Sequence, residues 1–123
     1  MKIVLKGVPP SLNQTSGRQN PWSYRSNKRA WTEAVQLACK AAPGRPVAPY
    51  TKALVRIDYY FSSARRHDAD NYSGKYLLDG LTRAGVIADD DLAHISTAIH
   101  GHVDRQRPRT EITVIALGGE EGC

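Results

Sequence analysis

ALVRIDYYF, residues 53–61, alternates through its whole length. Ala53, Val55, Ile57, Tyr59 and Phe61 fall on one side, with Arg56 and Asp58 on the other. A period of two with one apolar face is the pattern of a half-buried strand. Upstream, GRPVAPYTK (residues 44–52) is a proline-rich connection, and before it the period changes. Within residues 23–42, Trp31, Ala34, Val35, Ala38 and Ala42 recur at spacings of three and four, one helical stripe that Pro43-Gly44 ends. KIVLKGV, residues 2–8, reads as a first strand, stopped by Pro9-Pro10. Between them SLNQTSGRQNPW, residues 11–22, is a polar loop, long for so small a domain.

Downstream, the strand feeds SSARRHDAD and then a second helix, expected over residues 71–84. Tyr72, Tyr76, Leu77, Leu81 and Ala84 supply its apolar face, and Gly85 suits the left-handed position that stops helices. Gly74 and Gly80 lie inside it, each costing about 1 kcal/mol relative to alanine, which suggests close approach by another backbone or a ligand. Two more strands follow, around residues 94–103 and 111–117, joined by DRQRPR, with GGEEGC as a loose tail over residues 118–123. The order β-α-β-α-β-β predicts a single α+β domain over residues 1–123, its helices packed against a small mixed sheet.

The net charge of +5 is unevenly spread. Residues 1–66 hold twelve Lys or Arg against Glu33 and Asp58, whereas residues 67–123 hold five basic and ten acidic residues. A basic body favours polyanions, because each neutralised phosphate releases counterions. Arg18, Arg25, Lys28 and Arg29, with Arg65 and Arg66, are the candidate backbone contacts, and Arg105, Arg107 and Arg109 are further ones. Arg25, Lys28 and Arg29 crowd the first turns of a helix, the end whose dipole prefers anions. No apolar run approaches the ~20 residues of a membrane span, and the N-terminus lacks the core of a signal peptide. With Cys39 inside a helix and Cys123 terminal, free thiols in the cytosol are expected.

Chemistry concentrates between Arg65 and Asp91. This stretch holds six of the twelve acidic residues, all aspartates. Asp68 and Asp70 flank Ala69, so an extended backbone would point both side chains the same way. Hard divalent cations take oxygen ligands, commonly one or two carboxylates plus water and substrate phosphate. A third carboxylate from Asp89, Asp90 or Asp91 would complete such a site. Lys75 lies four residues after Asn71, on one helical face, where an ammonium could stabilise developing charge. The plainer readings are a helix N-cap for Asp70, a surface pair with Arg65 or Arg66 for Asp68, and a solvated lysine. His100 and His102 share a strand face without a third soft ligand, so a zinc site is not expected, and the role of His67 is open. The pattern is that of metal-dependent phosphodiester hydrolysis. A non-catalytic basic DNA-binding protein and a metal-dependent nucleotide phosphohydrolase are the alternatives.

The run DADNYSGKYLLDGLTRAGVIADDD, with PPSLN near the N-terminus, resembles the RusA family of Holliday junction resolvases. That family carries Asp-x-Asp-Asn, then Lys, Asp-x-Leu, Ala-Gly and a paired Asp-Asp, and the likeness extends over nearly the whole chain. It implies a homodimer that cuts four-way DNA junctions with Mg²⁺ or Mn²⁺. It also implies that Asp68, Asp70 and Asp90 hold the metal and that Lys75 joins them in catalysis, with Asp89 or Asp91 as a neighbour of the site.

Overall fold

The computed structural model describes residues 1–12 and 21–117, apart from the side chains of Pro21 and Asp70. Arg18 and the tail from 118 to Cys123 lie outside the described residues. The elements are β1 (Lys2–Lys6), α1 (Pro21–Ala41), β2 (Ala53–Phe61), a 3₁₀ turn (Ala69–Asn71), α2 (Leu78–Arg83), β3 (Ile95–Val103) and β4 (Arg109–Ala116). Among the described residues this is the expected α+β domain, with two helices against a four-stranded mixed sheet.

The strands lie in the order β1-β4-β2-β3. β4 runs antiparallel to both β1 and β2, while β3 runs parallel to β2, from Ala53 opposite Ile95 to Phe61 opposite Val103. Although consecutive in the chain, β3 and β4 are separated by β2. Parallel neighbours cannot be joined by a tight turn and need a crossover. Residues 62–94 are that crossover, and the whole aspartate-rich stretch lies on it.

Alternation along β2 is as the sequence predicts: Ala53, Val55, Ile57, Tyr59 and Phe61 are buried under the helical layer, with Ile112 and Val114 beside them from β4. On α1 the buried line is Thr32, Val35 and Cys39, rotated part of the way round the helix from the centre of the expected stripe, with Trp31, Ala34, Ala38 and Ala42 at its margins. The Cys39 thiol is fully covered and burial pushes its pKa up, so it is inert packing.

The second helix differs from expectation. Instead of one helix over 71–84 there is a 3₁₀ turn, an irregular segment and then the six residues of α2. Gly74 is the reason. Its φ is +88°, and a Cβ there would stand 2.7 Å from Ile57 Cδ1, so the chain turns away where it meets the sheet. Gly80 is different: it is helical, and a Cβ would stand 2.6 Å from Val35 Cβ and 2.9 Å from the Thr32 carbonyl oxygen. The expected close backbone approach is therefore real, and it belongs to α1. Gly85, at φ +78°, ends α2 as expected.

Candidate functional site

Asp68 ends the path that leaves β2. Its backbone is extended (φ −84°, ψ 139°), and its carbonyl accepts from the Asn71 amide at 3.0 Å, which starts the 3₁₀ turn. The reading that an extended backbone aims Asp68 and Asp70 alike is thereby corrected, since Ala69 and Asp70 belong to that turn. The Asp70 side chain lies outside the described residues, and with it the Asp68–Asp70–Asp90 set as a set. Asp68 caps the turn in backbone terms without a side-chain cap bond. Its carboxylate instead accepts from Arg66 Nε at 2.7 Å, with both groups solvent-exposed. An exposed pair of this kind is weak, so a cation can displace the arginine.

Around Asp68 the crossover folds onto the end of β2. The His67 ring stacks on Phe61, centroids 3.6 Å apart, and Tyr72 meets Phe61 edge-on at 5.0 Å. Two hollows open beside them. One of about 320 Å³ is bounded by Ser11, Arg65, Arg66, Asp68 and Asn71. A smaller one, about 100 Å³, places Asp68 against Ile99, His100 and Gly101 of β3. Sequence left His67 without a role; here its ring is part of the wall that positions Asp68.

Lys75 sits in the turn between Gly74 and α2, exposed, with no helix joining it to Asn71. The shared helical face expected for these two residues is absent because Gly74 lies between them. The Lys75 ammonium stands 5.2 Å from the centre of the Tyr24 ring, so a residue of α1 orients it. Asp79 pairs with Arg83 at 2.9 Å one turn along α2, a structural role.

The second group of carboxylates precedes β3. Asp89 Oδ1 accepts from the Asp90 amide at 2.8 Å, and Asp90 itself is exposed. The ligand atoms of Asp89, Asp91 and His94 all lie within 4.8 Å of one another, a trio that could hold a metal ion. His94 Nδ1 is hydrogen-bonded to the Asp91 carboxylate, and this bond holds the Asp91 carboxyl below its ordinary range. Two carboxylates with an imidazole suit Mn²⁺ better than Mg²⁺, which prefers an all-oxygen shell. Sequence reasoning missed His94; the signal available was its position three residues after Asp91, opening a strand.

Of the basic candidates, Arg25, Lys28 and Arg29 line a cleft between α1 and α2, and Arg65 and Arg66 bound the hollow at Asp68. Arg109 is not available to phosphate. Its guanidinium donates to Glu111 at 2.7 Å and Asp104 at 2.8 Å, and lies 3.7 Å from the Tyr60 ring centre. On the same sheet face Asp58 accepts from Arg56 at 3.0 Å and contacts His102 Nε2 at 2.8 Å, so His102 is a structural partner. No protein-family model matches the chain, and no curated protein matches it. Among the described residues no helix is long and apolar enough to cross a membrane.

Proposed function

We propose that the chain is a metal-dependent endodeoxyribonuclease that resolves four-way junctions and related branched DNA, working as a homodimer in the cytosol. The motif resemblance to the RusA family motivates this reading. The observation that carries it structurally is the crossover between β2 and β3, which bears Asp68, Lys75 and the Asp89–Asp91 cluster and leaves Asp68, Lys75 and Asp89–Asp91 exposed. At Asp89–Asp91 acidic groups stand together without burial, repelling one another, and a cation relieves that repulsion.

Asp68, Asp70 and Asp90 would hold Mg²⁺ or Mn²⁺, with Asp89, Asp91 and His94 adjoining. A bound metal supplies an activated water and a Lewis acid at the phosphate. Arg66, once released from Asp68, and Arg65 bind backbone phosphate at the edge of the site. Lys75 faces the charge that develops on the phosphate, held in place by Tyr24. A two-fold protein suits a two-fold junction, with one site for each of two opposed strands.

The test is nicking of a synthetic four-way junction, a fork and a linear duplex with Mg²⁺ or Mn²⁺. Cleavage of the branched substrates by the wild type, lost in Asp70→Asn with junction binding kept, is the expected result. A wild type that binds but never nicks would leave the non-catalytic DNA-binding alternative, and hydrolysis of free nucleotides alone would leave the phosphohydrolase.

A further inference from the structure

Between α1 and the part of the crossover that forms α2 lies a cleft of about 700 Å³. On α1, Arg25, Lys28, Arg29 and Thr32 follow at helical spacing along one stripe, and Arg83 closes the opposite wall from α2. The geometry depends on Gly80, whose missing Cβ lets the two helices meet at backbone distance beneath the cleft. Basic side chains outnumber acidic ones on its walls, four to two. The acids are already engaged: Asp79 with Arg83 at 2.9 Å and Glu33 with Arg29 at 3.5 Å.

Thr32 supplies an independent observation. It is 5% exposed, and its hydroxyl has no hydrogen-bond partner among the described residues. A buried hydroxyl left unpaired is costly, and a threonine in a helix usually returns its hydroxyl to a carbonyl of the preceding turn. Threonine in a helix divides between two χ1 rotamers, so a ligand in the cleft can draw the hydroxyl to itself.

We propose that this cleft seats backbone phosphate of a nucleic-acid strand, through Arg25, Lys28 and Arg83 with the Thr32 hydroxyl as donor. The placement rests on the nucleic-acid reading above but not on hydrolysis. Tyr24 is what ties the two regions together, since it lines the cleft and also carries Lys75 on its ring. A strand seated between α1 and α2 therefore leads towards Lys75, and phosphate is gripped away from the cut as well as at it. Anchoring remote parts of a substrate in this way orients its reacting centre.

Binding is measured in EDTA on a fluorescently labelled four-way junction across a salt series, for wild type, Lys28→Gln, Arg83→Gln and Thr32→Val. Each charge variant is expected to bind about three- to tenfold more weakly, with the salt slope reduced by about 1. Thr32→Val separates a structural role from a binding one: it should raise Tm, because it removes an unpaired buried hydroxyl, and still weaken binding. Wild-type affinity and salt slope in the charge variants overturns the proposal, as does unaltered binding by Thr32→Val. Stabilisation by inorganic pyrophosphate without any effect of the oligonucleotide assigns the cleft to a small phosphorylated ligand and overturns the strand. Binding by wild type without nicking in Mg²⁺ or Mn²⁺ refutes the nuclease and leaves the cleft standing.

Discussion

Gly80→Ala is a substitution for which local and tertiary physics give opposite signs. Alanine inside a helix is worth about 1 kcal/mol more than glycine, so helix propensity alone predicts a more stable protein. The Cβ it adds would stand 2.6 Å from Val35 Cβ and 2.9 Å from the Thr32 carbonyl oxygen. Carbon atoms pack at about 3.5–4.0 Å, so the shortfall is on the order of 1 Å. Neither neighbour can rotate away, because one is fixed to the backbone and the other belongs to it. The helices must part, and Leu81, fully buried beside Gly80, loses packing with them. Overpacking of this kind costs about 1–3 kcal/mol. Set against the propensity gain, the net is about 0–2 kcal/mol of destabilisation, a fall in Tm of up to about 8 °C for a domain of this size. Far-UV circular dichroism during heating measures it. Val35→Ala should give only partial rescue, because it removes Cγ1, 2.8 Å from the added Cβ, but leaves Val35 Cβ at 2.6 Å. A Gly80→Ala protein that melts above the wild-type temperature, as propensity alone predicts, refutes the packing argument and the cleft geometry that depends on it.

Acid should loosen the open face of the sheet. Burial pushes the Asp58 carboxyl up, but bonds from Arg56 and His102 together hold it below its ordinary 3.8. Lys2 and then Arg109 hold Glu111 below 4.5. Lowered folded-state values stabilise fully above the ordinary ones, and that contribution is lost as pH falls from about 4.5 through the folded values. Urea unfolding of wild type and Glu111→Gln from about pH 7 to pH 3 should show a shallower acid decline in the variant; superimposable profiles would contradict the assignment. Lys75→Met should lower the nicking rate about 10²-fold while Tm stays nearly unchanged, since the ammonium is exposed and lies over the Tyr24 ring without a salt bridge among the described residues. A rate close to wild type removes Lys75 from the reaction.

The strands were legible because their information is local. β2 alternates between a set on the open face of the sheet and a helix-facing set, and two-residue periodicity in Ala53–Phe61 needs no distant partner to be read. What the alternation could not tell is that Asp58, on the polar side, is itself buried, 6% exposed. That depends on Arg56 beside it and on His102, 44 positions away. Arg109 was misread as a phosphate contact for the same reason, as Asp104, Glu111 and Tyr60 occupy it. In the crossover, local pattern favoured one helix, and a contact from β2 decided otherwise: Ile57 fills the space beneath Gly74, and the residue takes a left-handed conformation that a helix does not allow.

The same crossover explains why candidate chemistry and unreadable structure coincide. A parallel pair obliges the chain to return from the end of β2 to the start of β3, and that return supplies turns rather than a full helix. Turns leave carboxylates exposed. Asp68 follows the end of β2, whereas Asp89, Asp91 and His94 precede the start of β3, so the two acidic groups are anchored to neighbouring strands. Asp68 lies against Ile99, four residues beyond Ile95, an offset of about 13 Å at the usual strand rise. An ion shared by the two groups therefore requires the loop before β3 to lie along the strand. If it does, Mn²⁺ titration of Asp68→Asn should lose affinity together with His94→Ala. Independent losses would divide the aspartates into two separate sites.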